Sequence, residues 1–185
     1  MADKKETSVE KKSTDITKNI KKLEYPFVCL FEKVSNDTFK KSIYELLQMD
    51  KNDEVDSMIN EIYDNIKLPT RSNAASSEYH FLSPLPKITI QPGSIAMIPT
   101  GIKCFLSQNW NLEIIAEDYK SILGYDIDAK LIPHIAIINP YDYNKAETDE
   151  GQIYITFANT SADQPITINY GSPIAKGILR MYGLA

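Results

Sequence analysis

Side chains able to do chemistry occur in this chain, but they form no catalytic or metal-binding pattern of their own. The two histidines, His80 and His134, are isolated in sequence, and each is expected to be a hydrogen-bonded structural residue. The two cysteines, Cys29 and Cys104, lie in apolar runs, where a buried free thiol is the usual state. They make neither a CxxC pair nor a larger framework, so no metal site and no disulfide is predicted.

Tyrosines near the middle of the chain offer a candidate binding surface. Tyr141 and Tyr143 lie in a polar turn, and their aromatic faces could stack on a nucleotide base. Together with Tyr119 and Tyr125 they could equally form a protein-binding patch, because tyrosine is favoured at the cores of interfaces. A tyrosine-bearing surface turn without a ligand is the third interpretation. Acidic neighbours make triphosphate binding the least favoured of these options.

Three stretches of the second half share an order and spacing with one known scaffold: residues 90–102 (IQPGSIAMIPTGI), 151–160 (GQIYITFANT) and 165–176 (PITINYGSPIAK). They resemble the scaffold of the trimeric dUTP nucleotidohydrolases, or dUTPases. Residues 90–102 resemble the strand, turn and Pro-Thr-Gly corner after that family's first motif. Residues 151–160 resemble the strand that ends its third motif, and residues 165–176 resemble its fourth. The resemblance covers roughly Leu68 to the C-terminus, and the matching residues mostly shape turns and fill a core.

The side chains that do chemistry in that family differ at the first two motifs. The first motif reads Ser-Ala-Gly-Tyr-Asp-Leu, and the matching run here contains Tyr79 followed by His80 in place of the acid. The second, Pro-Arg-Ser-Gly, binds phosphates through guanidinium, hydroxyl and backbone donors. The corresponding run here contains Glu117 and Asp118. Two carboxylates at this point would repel a phosphate.

The third motif supplies a water-activating Asp and a Tyr that packs under deoxyribose in the family. Counting back from Gly151 places Ala146 at the position of the base. Ala146 has no group that can accept a proton, so it cannot act as a general base. A shifted alignment could still bring Asp142, Asp149 or Glu150 near the water site, which would restore one of the missing functions.

The fourth motif and the C-terminal arm of the family are changed too. The family's Asp, Arg and Gln correspond to Ser172, Pro173 and Lys176. The glycine-rich arm that wraps the triphosphate in the family is expected to be absent, because the last residues of the sequence are Gly183-Leu184-Ala185.

The resemblance implies a mainly β, distorted jelly-roll domain that assembles as a threefold trimer with active sites shared between subunits. Because five features of the site differ at once, the leading hypothesis is a non-catalytic homotrimeric pseudoenzyme that works through its surfaces. By analogy with degenerate dUTPase-like proteins of viruses and phages, it would be a virion component such as a capsid decoration or head-fibre base. The alternative is a divergent dUTP or dCTP hydrolase, and only in that case is a cofactor, Mg²⁺, expected. A regulator that senses a nucleotide without cleaving it is a third possibility.

Composition narrows the partners and the location. With 43% hydrophobic and 24% charged residues, the chain has the composition of a soluble globular protein. Its net charge of -5 argues against nucleic acid as the main partner, because duplex binding needs a basic face. No apolar run is long enough to span a bilayer, and the N-terminal residues lead into no signal-peptide core. A soluble protein is therefore expected, and the resemblance to degenerate viral and phage dUTPase-like proteins implies the virion or the host cytoplasm as its location.

Three regions separate along the chain. Residues 1–22 are rich in lysine and almost without apolar side chains, so we expect a flexible arm, since such a segment cannot bury enough surface to offset its ordering entropy. Residues 23–67 are expected to form a strand plus a helical hairpin, with no counterpart in the usual dUTPase. Residues 68–185 are the dUTPase-like β domain. We expect a larger protein assembly to bind residues 1–66.

The region 23–67 has clear periodicities. Residues 25–31 are typical of a short apolar strand. A helix with Phe39 and Ile43 on its apolar face follows, with Ser35 among its cap candidates. A second helix, for which Asp53 is the predicted cap, repeats apolar residues at helical spacing. The short link predicts an antiparallel hairpin with one apolar stripe against a neighbour.

From residue 70 onward the pattern is that of an all-β domain. Short β-rich runs are separated by turns that contain Pro, Gly, Asn and Asp. The predicted strands are 87–90, 94–98, 102–106, 112–115, 135–138, 152–157, 166–169 and 174–179. Numerous short strands of this kind indicate a sandwich or jelly roll.

Overall fold

The computed structural model describes residues 28–117, 131–133, 135–144 and 149–183. Over these residues the protein is mainly β, with two α-helices, which agrees with the predicted fold class. The strands are β1 (Cys29–Lys33), β2 (Thr70–Arg71), β3 (Glu78–Leu82), β4 (Lys87–Ile90), β5 (Ile95–Pro99), β6 (Ile102–Leu106), β7 (Trp110–Ala116), β8 (Leu131–Pro133), β9 (Ile135–Ile138), β10 (Tyr154–Asn159), β11 (Ile166–Asn169) and β12 (Pro173–Met181). The helices are α1 (Asn36–Leu47) and α2 (Asp53–Asp64), and a 3-10 turn spans Asp142–Asn144.

The strand pairs of the described residues are antiparallel. A five-stranded sheet has the order β2-β3-β12-β7-β9, a three-stranded sheet the order β5-β10-β8, and β1-β6 and β4-β11 form two-stranded sheets. The nine-residue strand β12 runs through the centre of the largest sheet. A Cβ at Gly177 would lie 3.0 Å from side-chain atoms of both Leu112 and Phe81, so this glycine allows β12 to pack closely against the core.

The sequence pattern found most strands and missed three. Four predicted strands have the observed bounds: 87–90, 102–106, 135–138 and 166–169. The other four differ by one or two residues at each end, where side-chain pattern is least informative. The strand predicted at 25–31 lies at Cys29–Lys33, and residues 25–27 are outside the described part. Strands β2, β3 and β8 were not predicted; β2 and β8 are too short to show alternation.

Both predicted helices are present, with one correction at a cap. Helix α1 begins after Ser35, whose hydroxyl accepts a hydrogen bond from the Thr38 amide. Helix α2 begins after Asn52 rather than Asp53, because the Asn52 side-chain oxygen accepts from the Glu54 amide at 2.8 Å. Asp53 instead occupies the first turn, where its charge favours the positive end of the helix dipole.

The apolar faces of the helices are covered by the β body. Phe39, Ile43 and Ile59 are all buried, and they belong to the same hydrophobic core as the strands. Leu47 and Met58 stay about half exposed. Neither of the two described helices, at twelve residues each, is long and apolar enough to cross a membrane.

The Pro-Thr-Gly corner is the point where the helices meet the strands. Gly101 has φ +70, and a Cβ there would lie 2.4 Å from Ile66 Cδ1 and 3.1 Å from Phe39 Cδ2. The corner therefore needs glycine both for its backbone conformation and for the space that is filled by Phe39 of α1 and by Ile66, two residues after α2. The Gly101 carbonyl also accepts from the Val34 amide at 3.0 Å, directly after β1 has paired with β6.

Candidate functional site

Three of the predicted site positions meet at the five-stranded sheet. His80 on β3 lies opposite Lys176 on β12 in the strand register. The ammonium of Lys176 lies 3.6 Å from a carboxylate oxygen of Glu117, the residue that directly follows β7. The Glu117 amide donates to the Ile174 carbonyl at 2.8 Å, which fixes the end of β7 beside β12. The structure therefore brings together residues that are almost a hundred positions apart in sequence.

Two further family-equivalent positions have structural contacts. Tyr79 is next to His80 on β3, so its side chain lies on the other face of the sheet. Its ring packs edge to face on Phe31, with the centroids 5.2 Å apart. The Ser172 carbonyl accepts from the Ser83 amide at 2.8 Å, where β3 ends and β12 begins. Both residues thus hold the sheet together at the edge of the candidate site.

The charge of Glu117 is matched within the chain. Its side chain is 7% exposed, and burial of a carboxylate without a cationic partner or hydrogen bonds is costly. Lys176, which is 36% exposed, supplies that partner. Because each charge of the pair satisfies the other, the described part of this site has no unmatched cation with which to hold a phosphate. Asp118, the other acid of this run, lies outside the described residues.

Asp149 and Gly151, two residues later, form a tight turn. The Asp149 side-chain oxygen accepts from the Gly151 amide at 3.0 Å, and the Asp149 carbonyl accepts from the Gln152 amide at 2.9 Å. Gly151 has φ +73, and a Cβ there would lie 2.0 Å from the backbone oxygen of Asp142. Ala146 lies outside the described residues, so its place in the site stays a prediction.

Glu150 is held at the start of helix α1. Its carboxylate accepts from the Ser35 amide at 3.2 Å and from the Thr38 hydroxyl at 2.8 Å, and the Lys103 ammonium lies 3.5 Å away. Partial burial by itself would raise the pKa of Glu150, but these hydrogen bonds and the Lys103 charge lower it below its usual value. No local sequence signal links Glu150 to a helix that begins more than a hundred residues earlier.

Asp142, the remaining candidate base, is also part of a turn. Its side-chain oxygen accepts from the Asn139 amide at 2.8 Å, and its own amide donates to the Asn139 carbonyl at 3.0 Å. All three carboxylates that a shifted alignment would offer as a base thus have hydrogen-bonding roles in turns or at a helix start.

The described tyrosines of the predicted patch have different surroundings. The Tyr143 hydroxyl donates to Glu32 of β1, its ring meets Phe105 edge to face, and burial together with the Glu32 bond raises the pKa of Tyr143. Tyr141 is 77% exposed. Tyr119 and Tyr125 lie outside the described residues, as does His134. A shared patch of four tyrosines therefore stays a prediction, and of the described pair only Tyr141 offers an open aromatic face.

Solved structures of several dUTPases are similar to the structure of this chain. No family model and no curated protein matches the chain. The dUTPase from Streptococcus mutans matches with a TM-score of 0.58 and 19% identity, covering 84% of this chain and 97% of its own. A mutant dUTPase of Staphylococcus bacteriophage 80alpha matches with a TM-score of 0.50 and 12% identity, over 65% of this chain and 86% of its own. The dUTPase of S. aureus phage phi11 gives a TM-score of 0.50 at 12% identity, over 66% and 87%. The chain has a dUTPase-like fold.

The share of the chain that is matched differs between these dUTPases. Residues 68–185 make up less than two thirds of the chain, whereas the Streptococcus mutans dUTPase matches 84% of it. That match therefore includes residues before position 68, and the absence of a counterpart to residues 23–67 in the usual dUTPase stays a prediction. The two phage dUTPases cover about as much of the chain as the β domain alone.

Beside this dUTPase-like site, the structure has an apolar surface that the sequence did not suggest. A groove of about 620 Å³ lies between the end of α1 and strands β4 and β5. Ile95 and Met97 of β5 line it and are 72% and 54% exposed, and Leu47 and Met49 beside the groove's helical wall are about half exposed. Alternation in a short strand shows which residues share a face, but it cannot show that the apolar face is the uncovered one.

A metal-binding cluster is not part of the described site. No group of three or more His, Cys, Asp or Glu side chains among the described residues is arranged to hold a metal ion. The carboxylates discussed above are distributed between the five-stranded sheet, the turn before β10 and the start of α1.

Proposed function

We propose that this protein is a non-catalytic module with a dUTPase-like fold, which forms a homotrimer and works through its surfaces as a virion component. A capsid decoration or head-fibre role, anchored through the N-terminal region, fits best. The observation that carries the proposal is the ion pair between Glu117 and Lys176, at the position where the family's phosphate-binding motif would lie.

The ion pair argues against triphosphate binding in two ways. A nearly buried carboxylate repels an incoming phosphate, and this repulsion grows as water is excluded. The nearby cation is already paired, so recruiting Lys176 to a phosphate would leave Glu117 buried without a partner, which is costly. The site is thus stable as it stands and disfavours an anionic ligand.

The candidate general bases support the same function. Asp142 and Asp149 accept hydrogen bonds from nearby backbone amides, and Glu150 accepts from Ser35 and Thr38 at the start of α1. The lowered pKa of Glu150 makes it a weaker base than an ordinary glutamate. These contacts give the three acids a structural role.

Exposed apolar side chains support a function in binding. Ile95 and Met97 beside the groove of about 620 Å³ are joined by Ile137, 57% exposed, on the edge strand β9 of the five-stranded sheet. Large exposed apolar residues at strand edges are typical of surfaces covered in an assembly. Trimer formation is the first use that we propose for them, since the family resemblance implies a threefold assembly.

Anchoring to a larger assembly is best tested with the lysine-rich residues 1–22, because residues 28–66 already pack on the β body. Two of the structurally similar dUTPases come from phages, which supports a phage setting for the proposal. A protein without residues 1–22 should stay folded and trimeric by light scattering, with an unchanged melting temperature, but fail to enter the native assembly. Full incorporation of the truncated protein would contradict anchoring by this segment.

The catalytic part of the proposal is tested with nucleotides. Purified protein with Mg²⁺ should release no pyrophosphate from dUTP or dCTP, and a non-hydrolysable dUTP analogue should not raise its melting temperature. The Streptococcus mutans dUTPase, assayed alongside, shows that the conditions support turnover. Light scattering on the same sample tests the trimer, and a monomer at micromolar concentration would contradict it.

A divergent dUTP hydrolase is the second candidate, and one observation favours it. Asp149 borders a cavity of about 250 Å³ whose other lining residues are Thr38, Lys41, Ser42, Glu45, Met97 and Tyr154, so two acids, a cation and three hydroxyl side chains border one space. If this cavity were catalytic, turnover of dUTP would be present and would be abolished in Asp149→Asn, while Asp163→Asn at a distant surface turn would keep it.

A further inference from the structure

The two cysteines of the chain meet across the first pair of strands. The Sγ atoms of Cys29 and Cys104 lie 3.3 Å apart, although 75 positions separate the residues. Strand β1 carries Cys29 at its first position, and β6 carries Cys104 at its centre. Both are free thiols, but only Cys104 is buried as predicted, and sequence spacing gave no reason to expect contact between them. The pair takes no part in the proposed binding function.

The two thiols differ in access to solvent. Cys29 is partly exposed, whereas Cys104 is buried at 1% exposure. The hydrogen bond with Cys29 and burial raise the pKa of Cys104. Cys29 is therefore the sulfur that a reagent from solvent reaches first, and Cys104, whose Sγ lies 3.3 Å away, is positioned to attack it.

Strand register decides how easily the sulfurs can join. Cys29 pairs with Leu106 and Phe31 pairs with Cys104, so the cysteines are diagonal neighbours. Diagonal positions are farther apart than directly opposed ones, and a disulfide needs the sulfurs at about 2.05 Å. A rotation of one or both side chains with a small shift of β1 would close the gap. A bond that requires such a shift is more readily reduced than an unstrained one.

We propose that Cys29 and Cys104 form a reversible intramolecular disulfide that fastens β1 to β6, with a small-molecule disulfide such as oxidised glutathione as the oxidant. The Cys29 thiolate, having lost its proton to water, attacks one glutathione sulfur, which breaks the glutathione disulfide and releases one glutathione thiolate. Cys104 then gives its proton to the departing glutathione sulfur as it attacks the Cys29 sulfur, which breaks the Cys29–glutathione bond and releases the second glutathione. Two protein thiols are oxidised and one glutathione disulfide is reduced to two glutathione molecules.

The bond would change how firmly β1 is held on the rest of the fold. Among the described strands β1 pairs with β6 alone, so its contribution to the fold depends on one ladder of hydrogen bonds. A covalent link next to the first residue of β1 keeps that ladder closed. Oxidation would thereby hold the start of β1 on β6, whereas reduction would let β1 open locally.

The experiment uses the full chain in its reduced and glutathione-oxidised forms. Oxidation should lower the intact mass by two hydrogens, remove both free thiols and produce a peptide in which Cys29 and Cys104 are linked. The melting temperature should rise by about 10 °C, because the bond closes a long loop, and amide exchange in β1 should slow. Dithiothreitol should reverse all of these changes.

Variants separate the bond from its alternatives. Cys29→Ser, at the more exposed position, should fold and show neither the mass change nor the temperature shift, and Cys104→Ala should carry only a mixed disulfide with glutathione at Cys29. A wild-type protein that keeps both thiols, stops at a glutathione adduct on Cys29, or forms covalent dimers instead would overturn the proposal. A linked protein with an unchanged melting temperature and unchanged exchange in β1 would overturn the fastening role.

Discussion

Glu117 and Glu150 are acids at the positions where the second and third dUTPase motifs would lie, and their surroundings in the fold differ. Glu117 is nearly buried at the end of a strand and faces one cation, Lys176, on the neighbouring strand. Glu150 is about one third exposed and accepts hydrogen bonds from Ser35 at the cap of α1 and from Thr38 within α1. The Lys103 ammonium of β6 lies beside it. One acid balances a charge within a sheet, while the other joins a turn to a helix. The same residue type therefore makes two kinds of contribution, which can be measured separately.

The largest effect is expected from the turn that positions Glu150. Gly151→Ala would place a Cβ 2.0 Å from the backbone oxygen of Asp142 at a positive φ, so the turn would have to move. We expect a loss of at least about 3 kcal/mol in the free energy of unfolding, measured in urea. Gly93→Ala is the control: its φ of +69 is nearly the same, but nothing lies within 4 Å of the added Cβ. Equal losses in the two variants would show that the Asp142 clash relaxes without cost.

A smaller loss is expected when Glu117 loses its partner. Lys176→Met leaves a carboxylate that is 7% exposed without its cation, and we expect about 2 kcal/mol, reduced from the value for a fully buried pair because Lys176 is partly exposed. The double variant with Glu117→Gln should regain most of this loss. If the single variant is as stable as the wild type, the ion pair is not what keeps Glu117 in place.

The contribution of Glu150 should depend on pH. Its pKa is lowered in the folded protein, so the stabilisation is fully present above the ordinary value of 4.5 and is lost as pH falls through the folded-state pKa. Glu150→Gln should cost about 1 kcal/mol at neutral pH and almost nothing in acid well below 4.5. Glu45→Gln is the control, because the exposed Glu45 carboxylate lies on α1, 4.0 Å from Lys41. Its free energy of unfolding should differ little from that of the wild type at either pH. A loss in Glu150→Gln that is constant with pH would mean that shape rather than charge matters there.

The smallest effect is expected from a second ion pair between the same two strands. Arg180 of β12 pairs with Glu113 of β7, but Arg180 is 59% exposed. Arg180→Met should change the free energy of unfolding by no more than about 0.5 kcal/mol, and this change should shrink further in high salt. An effect as large as that of Lys176→Met would show that burial does not distinguish the two pairs.

Local sequence was informative where one segment determines its own structure. The cap of α1 at Ser35 and the apolar spacing of Phe39 and Ile43 are properties of a single turn or two of helix. The glycine of the Pro-Thr-Gly corner, Gly101, could be recognised from its sequence neighbours. Part of the requirement for glycine is not local, because Ile66 packs where a Cβ on Gly101 would lie. The family resemblance supplied the fold, because the residues that match it are those that form strands and turns.

The candidate site could be predicted only in part. His80, Glu117 and Lys176 were identified from motif order, and β3, β7 and β12 do bring them to one sheet. Which acid acquires a partner was not predictable, because charge pairing depends on side chains that strand register places side by side. The tyrosine patch illustrates the same limit, since Tyr143 is bound to Glu32 while Tyr141, two residues away, is open.

The sequence by itself determined the class of fold, the positions of the helices and most strands, and the difference between this chain and the dUTPase motifs. Those features follow from periodicity, turn chemistry and residue type, all of which act over a few neighbours along the chain. The tertiary structure alone decided that Glu150 meets Ser35 and that Cys29 meets Cys104. Contacts of this kind join residues 75 or more positions apart, and their distances are set by how sheets and helices pack rather than by spacing in the chain.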